Sequence, residues 1–322
     1  MGADIMTQVT SGSRTWKVAA LGECMLELRG EAFGSMHQSF GGDTLNTAVY
    51  LARCGGNRVS VSYATALGRD VLSSELMARW EAEDVHTDLV LRHPSRTAGL
   101  YQIVLSASGE RSFHYWRDQA AARAYFDDTT STLEEAADDL DALYLSGISL
   151  AILPDAGRER VLALMKRLRE RGGIVVFDNN YRPRLWRSNA EARAWYERAF
   201  AACSIALVTA DDHQALHELP SLLDAVYSAH TLPAEEITIK RGAMSTGVGF
   251  GGSWEWVNTF EVPRVVDTTA AGDSFAAGYL YRRLEGDSPL AAAAFGNKLA
   301  SRVVQFPGAL IPRDAMADLM SA

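Results

Sequence analysis

Short apolar runs alternate along the chain with longer stretches whose apolar positions recur every three to four residues. The first kind reads as buried strand and the second as amphipathic helix. Strands are expected over 17–21, 59–66, 143–146, 174–178, 205–209 and 237–240. Helices are expected over 44–54, 70–83, 155–171, 190–202, 271–284 and 289–305. Gly55 and Gly56 stop the first helix, and Asp70 stands where an N-cap belongs. Strand and helix in turn imply βαβ units, hence an α/β fold with a mainly parallel sheet covered on both faces.

One segment breaks the rhythm. Residues 97–106 and 111–116 are β-rich runs joined by 107–110, with no helix between them. They read as a hairpin. The pattern fits two placements: a small antiparallel lid over a cleft, or an antiparallel edge of the main sheet. No internal repeat or linker divides the chain. Residues 1–15 are expected to be a tail, without the apolar core of a signal peptide, and 16–322 one domain.

Composition narrows the function classes. The 322 residues carry 31 basic and 40 acidic side chains, a net charge of −9. Such a chain has no electrostatic footprint for nucleic acid. An anionic small substrate would need local arginine or lysine. No apolar run reaches the length of about 18 residues that spans a bilayer. Cys24, Cys54 and Cys203 are odd in number and far apart, so neither a disulfide framework nor a metal clip is expected, and a reducing cytoplasm suits them.

The richest chemistry lies in 267–278, where small residues lead into a helix. Free N–H groups and the positive end of the helix dipole can hold phosphate there, and Gly272 lets the backbone come close. Asp273 stands at the edge of that anion site. It is either a plain helix cap or a general base that takes a hydroxyl proton during phosphoryl transfer. The crowd of small residues and Asp267 six positions earlier favour the base. Gly41 and Gly42 permit close approach to a ligand before the first helix, and Asp43 and Asn46 can bond hydroxyls; a capped turn reads equally well. Arg182 follows the strand that ends at Asp178, where α/β sheets bind ligands. Lys240, Arg241 and Gly242 follow another strand and suit a phosphate. Neither a G-x-x-x-x-G-K-[ST] nor a G-x-G-x-x-G loop is present.

The run from Asp267 to Gly278 resembles the second signature of the PfkB (ribokinase-like) carbohydrate kinases. The resemblance implies a ribokinase-like fold with a lid, its strands from about 23–40 and 96–118. It implies Asp273 as the base, an anion hole of Ala270, Ala271 and Gly272, and Asp267 near the substrate or a cation. The Gly41-Gly42-Asp43-Thr44-Leu45-Asn46 stretch resembles the family's sugar grip, with Thr44 in place of a smaller residue. Segments 22–28, 40–47, 98–101, 109–111, 115–117, 144–153 and 177–186 are similar to the 2-keto-3-deoxygluconate kinases of that family. A sugar acid then brings a carboxylate, for which Arg117 is a bidentate partner beside Tyr115 and Tyr101. ATP is implied, with Asn180, Arg182, Lys240, Arg241, Gly242, Gly272, Asn297, Ala300 and Ser301 on its side. Mg²⁺ is implied too, with Asp211 and Asp212 as candidates, and a monovalent cation near Asp267 and Thr269. A homodimer through the lid strands is expected. The rival readings are a fructose or ribose kinase of the same fold, and a non-catalytic sugar or nucleotide sensor.

Overall fold

The computed structural model describes residues 14–31, 33–105 and 111–320. The tail residues 1–13 and the hairpin turn 107–110 lie outside the described residues. The first half holds strands β1 (Trp16–Leu21), β2 (Met25–Gly30), β3 (Met36–Gly41), β4 (Val59–Leu67), β5 (Val85–His86) and β6 (Val90–Arg92). Then come β7 (Gly99–Leu105), β8 (Arg111–Trp116), β9 (Ala142–Ser146), β10 (Ile174–Asp178), β11 (Ile205–Thr209) and β12 (Glu236–Arg241). The last two are β13 (Met244–Phe250) and β14 (Ser253–Val257). The helices are α1 (Asp43–Gly55), α2 (Val71–Glu81), α3 (Thr132–Ala136), α4 (Gly147–Ala151), α5 (Asp155–Glu170) and α6 (Asn189–Ala202). They continue with α7 (Ala210–His217), α8 (Leu222–Ala229), α9 (Ala271–Leu284), α10 (Pro289–Val303) and α11 (Ala317–Met320).

The main sheet runs β14-β13-β12-β11-β10-β9-β1-β4-β5, with β6 also on β4. From β12 to β5 every pairing is parallel. Strands buried on both faces cannot alternate apolar with polar, which is why β9 and β10 are buried at every position. Two apolar cores result. One lies under α1, α9 and α10 with Val49, Phe275 and Leu299, the other under α5 and α6 with Val161, Phe177 and Phe200. Asp70 caps α2 by accepting from the Ser73 N–H at 2.9 Å.

The antiparallel edge of the main sheet is β13–β14, not the 97–116 hairpin. The hairpin strands β7 and β8 belong to a second sheet, β3-β2-β7-β8. Its β2–β7 pairing is parallel and its outer pairings are antiparallel. On one face the register aligns Glu27, Ser39, Tyr101 and Tyr115. The strands enter this sheet from the C-terminal end of β1 and return from β3 directly into α1.

Candidate active site

The chemistry gathers where the parallel strands end, beyond the carboxyl ends of β9, β10 and β12. Four segments meet there: the start of α1, Ser146 at the end of β9, Asp178 at the end of β10 and the start of α9.

Asp273 is the third residue of α9 and is half-buried. Asn46, 5 % exposed, donates from Nδ2 to Asp273 Oδ2 at 2.8 Å. Thr47 Oγ1 donates to the Asp273 carbonyl at 3.2 Å, so α1 holds the start of α9 by side chain and backbone together. Burial raises the Asp273 carboxyl well above the usual range, and the negative charges of Asp43 and Asp178 raise it further. The Asn46 hydrogen bond and the Lys240 charge oppose that rise. A carboxylate tuned upward in this way accepts a proton more readily than an exposed one.

The residue before α9 is Ala270, with φ at 60°, a left-handed conformation that glycine adopts without strain. It turns the chain into α9, whose first turn meets α1 at Asn46 and Thr47. Gly272 and Asp273 then offer N–H groups that lack intrahelical acceptors. A Cβ on Gly272 would meet only Lys240 Nζ, at 3.6 Å. Asp267 braces this turn. Its Oδ1 accepts from Thr269 N at 3.0 Å and Thr269 Oγ1 at 2.7 Å, and its Oδ2 from Gly308 N at 3.2 Å.

Asp43 opens α1 and accepts at Oδ2 from Ser146 Oγ and Asn180 Nδ2, each at 2.5 Å. Asn180 therefore contacts Asp43, and its φ of 25° is the strained turn that brings it there. Gly42 has to be glycine because a Cβ would sit 2.3 Å from the Glu23 carbonyl oxygen. Thr44, the departure from the family pattern, fills the space left by Gly22, where a Cβ would lie 2.0 Å from Thr44 Oγ1. Its hydroxyl shares a 3.0 Å hydrogen bond with Tyr63.

On the second sheet, Tyr101 donates its hydroxyl to Glu27, and its ring lies 5.9 Å from that of Tyr115. Arg117 is not a solvated hairpin residue. It forms a buried ion pair with Glu23 and lies 5.9 Å from the Tyr115 ring centroid. Glu23 is 2 % exposed, and its Oε1 has no partner among the described residues. Burial raises the Glu23 carboxyl despite the Arg117 charge.

The structure separates other residues that the sequence groups together. Lys240 points inward, where Nζ donates to Asp178 Oδ2 at 2.7 Å, while Arg241 lies 3.9 Å over the Trp256 ring and bonds Ser245. Gly242 makes the turn between β12 and β13 with φ at 60°. Arg182 stands half-exposed at the rim, paired with Asp212 at 3.2 Å. Asp211 is exposed, and no group of three or more His, Cys, Asp or Glu able to hold a metal occurs among the described residues. Asn297 accepts from Thr246 Oγ1 at 2.9 Å and donates to the Asn258 carbonyl at 3.2 Å, so its amide ties α10 to the β13–β14 edge. Ser301 bonds back to the Lys298 carbonyl at 2.7 Å, and Ala300, one residue before it, is half-buried.

Asp178, Glu23 and Ser146 are site residues that the sequence reading did not single out. A lone polar residue closing an apolar strand was the available signal for Asp178 and Ser146.

The pattern of the pfkB family carbohydrate kinases matches residues 16–316. The chain is 46% identical over 312 residues to the 2-dehydro-3-deoxygluconokinase of Dickeya dadantii, covering 94% of this chain and 99% of that one. It is 44% identical over 310 residues to the Escherichia coli K12 protein of the same name, covering 93% and 98%. Among solved structures it resembles aminoimidazole riboside kinase from Salmonella enterica, complexed with aminoimidazole riboside and an ATP analogue. There the TM-score is 0.79 at 25% identity, over 95% of this chain and 100% of that one.

Proposed function

The chain belongs to the pfkB family of carbohydrate kinases, and we propose that phosphoryl transfer takes place in this cleft with Asp273 as the base. The reaction is the ATP-dependent phosphorylation of 2-dehydro-3-deoxygluconate, the kinase activity named for relatives 40–46% identical over nearly the whole chain, and we assign the transfer to the 6-hydroxyl of the D-sugar acid.

The observation that carries the mechanism is the carboxylate of Asp273 beside free helix N–H groups. The 6-hydroxyl of the sugar acid lies against Asp273 and the γ-phosphate of ATP against the first turn of α9. As the hydroxyl oxygen bonds to phosphorus, its proton passes to Asp273 and the bond to the β-phosphate oxygen breaks, releasing ADP. The N–H groups of Gly272 and Asp273, with Lys240, stabilise charge on the phosphoryl oxygens. Asp43 and Asn46 orient the sugar hydroxyls. The substrate carboxylate extends toward Arg117, with Tyr101 and Tyr115 beside it on the lid. Mg²⁺ would be held by the substrate phosphates and water with one or two carboxylates beside them, for which Asp211 and Asp212 are the candidates. When bound, it neutralises phosphate charge.

A sugar panel tests the substrate reading. Turnover with 2-dehydro-3-deoxygluconate is expected to exceed that with fructose or ribose by about 10²-fold, because only the acid gains a charge-assisted hydrogen bond to Arg117. Equal or faster turnover of fructose would refute it.

The lid also supports a homodimer. Phe113, Tyr115 and Trp116 are 42–59 % exposed, and β8 is an open sheet edge of the kind that pairs with another chain. Light scattering is expected to give twice the chain mass, and a monomeric mass would sink the proposal. The buried, unpaired cysteines suit a reducing cytoplasm, and no helix among the described residues is long and apolar enough to cross a membrane.

A further inference from the structure

We propose that Asp178 is the positioning residue of the phosphoryl-transfer site: it parks the Lys240 ammonium at the first turn of α9, where the transferred phosphate meets it. This rests on the reading of that turn as the phosphate site.

Lys240 lies on β12 and Asp178 on β10, with β11 between them. The lysine crosses that strand to reach its partner at 2.7 Å, and both side chains are at most 10 % exposed. Nζ has three donors, and among the described residues it makes one hydrogen bond, to Asp178. Among the described residues, Nζ is the one group within 4 Å of the place a Gly272 Cβ would take, at 3.6 Å, so its remaining donors are within reach of an anion at the first turn of α9. The Phe275 ring lies 5.9 Å from Nζ.

This pair has a task beyond stability. A buried ion pair gains little over well-packed apolar residues, because desolvation offsets the attraction. An ammonium beside the positive end of a helix is also repelled by it, unless an anion comes between them. Asp178 supplies that compensation before ATP arrives. The phosphate then takes the unused donors while Asp178 keeps the third, so the ammonium needs no search at the moment of transfer. Asp178 touches neither sugar nor nucleotide and acts through Lys240.

A double-mutant cycle on the full-length enzyme tests this. Lys240→Met is expected to lower kcat by about 10²- to 10³-fold, as for other lost charge stabilisers. Asp178→Asn, which keeps the shape and an acceptor oxygen, is expected to lower kcat roughly 10-fold or more, the usual effect of losing an orienting partner. Its ATP Kd should be unchanged or tighter, since the competing carboxylate is gone. The double variant Asp178→Asn/Lys240→Met buries no unpaired charge, so it remains measurable even if the single aspartate variant fails to fold. Its kcat should equal that of Lys240→Met. A further loss in the double variant, or an Asp178→Asn enzyme with normal kcat and weakened ATP binding, would overturn the proposal. The cycle compares kcat ratios on whichever sugar the enzyme phosphorylates. An error about Asp273 or about the sugar therefore shows in other measurements and leaves this one readable.

Discussion

Asp273→Asn is expected to lower kcat by about 10²- to 10⁴-fold, the range for loss of a general base. The amide is nearly isosteric, and its oxygen can still accept from Asn46, which now donates to Asp273 Oδ2. What it cannot do is take the proton of the attacking hydroxyl. ATP binding, measured by calorimetry without sugar, should stay within about threefold, since the α9 N–H groups are untouched. The fold should not suffer. The Asp273 carboxyl is raised in the folded state by burial and by Asp43, so its ionised form opposes folding once pH rises above the unfolded value. Removing that charge holds or raises the thermal midpoint at pH 8. A variant with normal turnover would show that Asp273 is a cap and not a base.

Arg117→Ala is expected to raise KM for the sugar acid by roughly 10- to 150-fold, the equivalent of a charged hydrogen bond of about 1.5–3 kcal/mol. The same variant should change KM for a neutral sugar far less. Equal losses for acidic and neutral sugars would remove the carboxylate role. The substitution also strands Glu23, which is buried against Arg117. An uncompensated buried charge of this kind destabilises by about 3–5 kcal/mol. Adding Glu23→Gln should therefore recover most of the thermal midpoint without recovering affinity for the acid. That separation distinguishes a binding arginine from a structural one.

The parallel sheet was legible in the sequence because strands buried on both faces leave continuous apolar runs. The expected 174–178 and 205–209 coincide with β10 and β11, and 271–284 coincides with α9. The β13–β14 edge was not legible, because its glycines look like loop. Gly247 and Gly249 are there to seat rings: a Cβ on them would lie 3.0 Å from Trp256 and 2.5 Å from Trp254. The adjacent cations Lys240 and Arg241 read as one basic pair, yet strand alternation sends them to opposite faces. Applying that period to the last two residues of β12 would have separated the inward lysine from the outward arginine. The partners Glu23 and Asp178 were beyond reach for a different reason. A buried ion pair joins residues 94 or 62 positions apart, and no local pattern encodes which cation meets which acid.

Asp273, tuned upward by its surroundings, is the group expected to take the hydroxyl proton. The measurement that meets it most directly is the pH dependence of kcat/KM for the sugar acid, in the wild type and in Asp43→Asn. A base must be ionised to act, so activity falls as pH drops through its pKa. The wild-type acid limb is expected above the ordinary carboxylate range, because burial and Asp43 raise Asp273. Asp43→Asn removes the like charge, so its acid limb should move to lower pH even though its maximum rate is reduced. An acid limb at an ordinary carboxylate pH, unmoved by Asp43→Asn, would show that Asp273 is not the base.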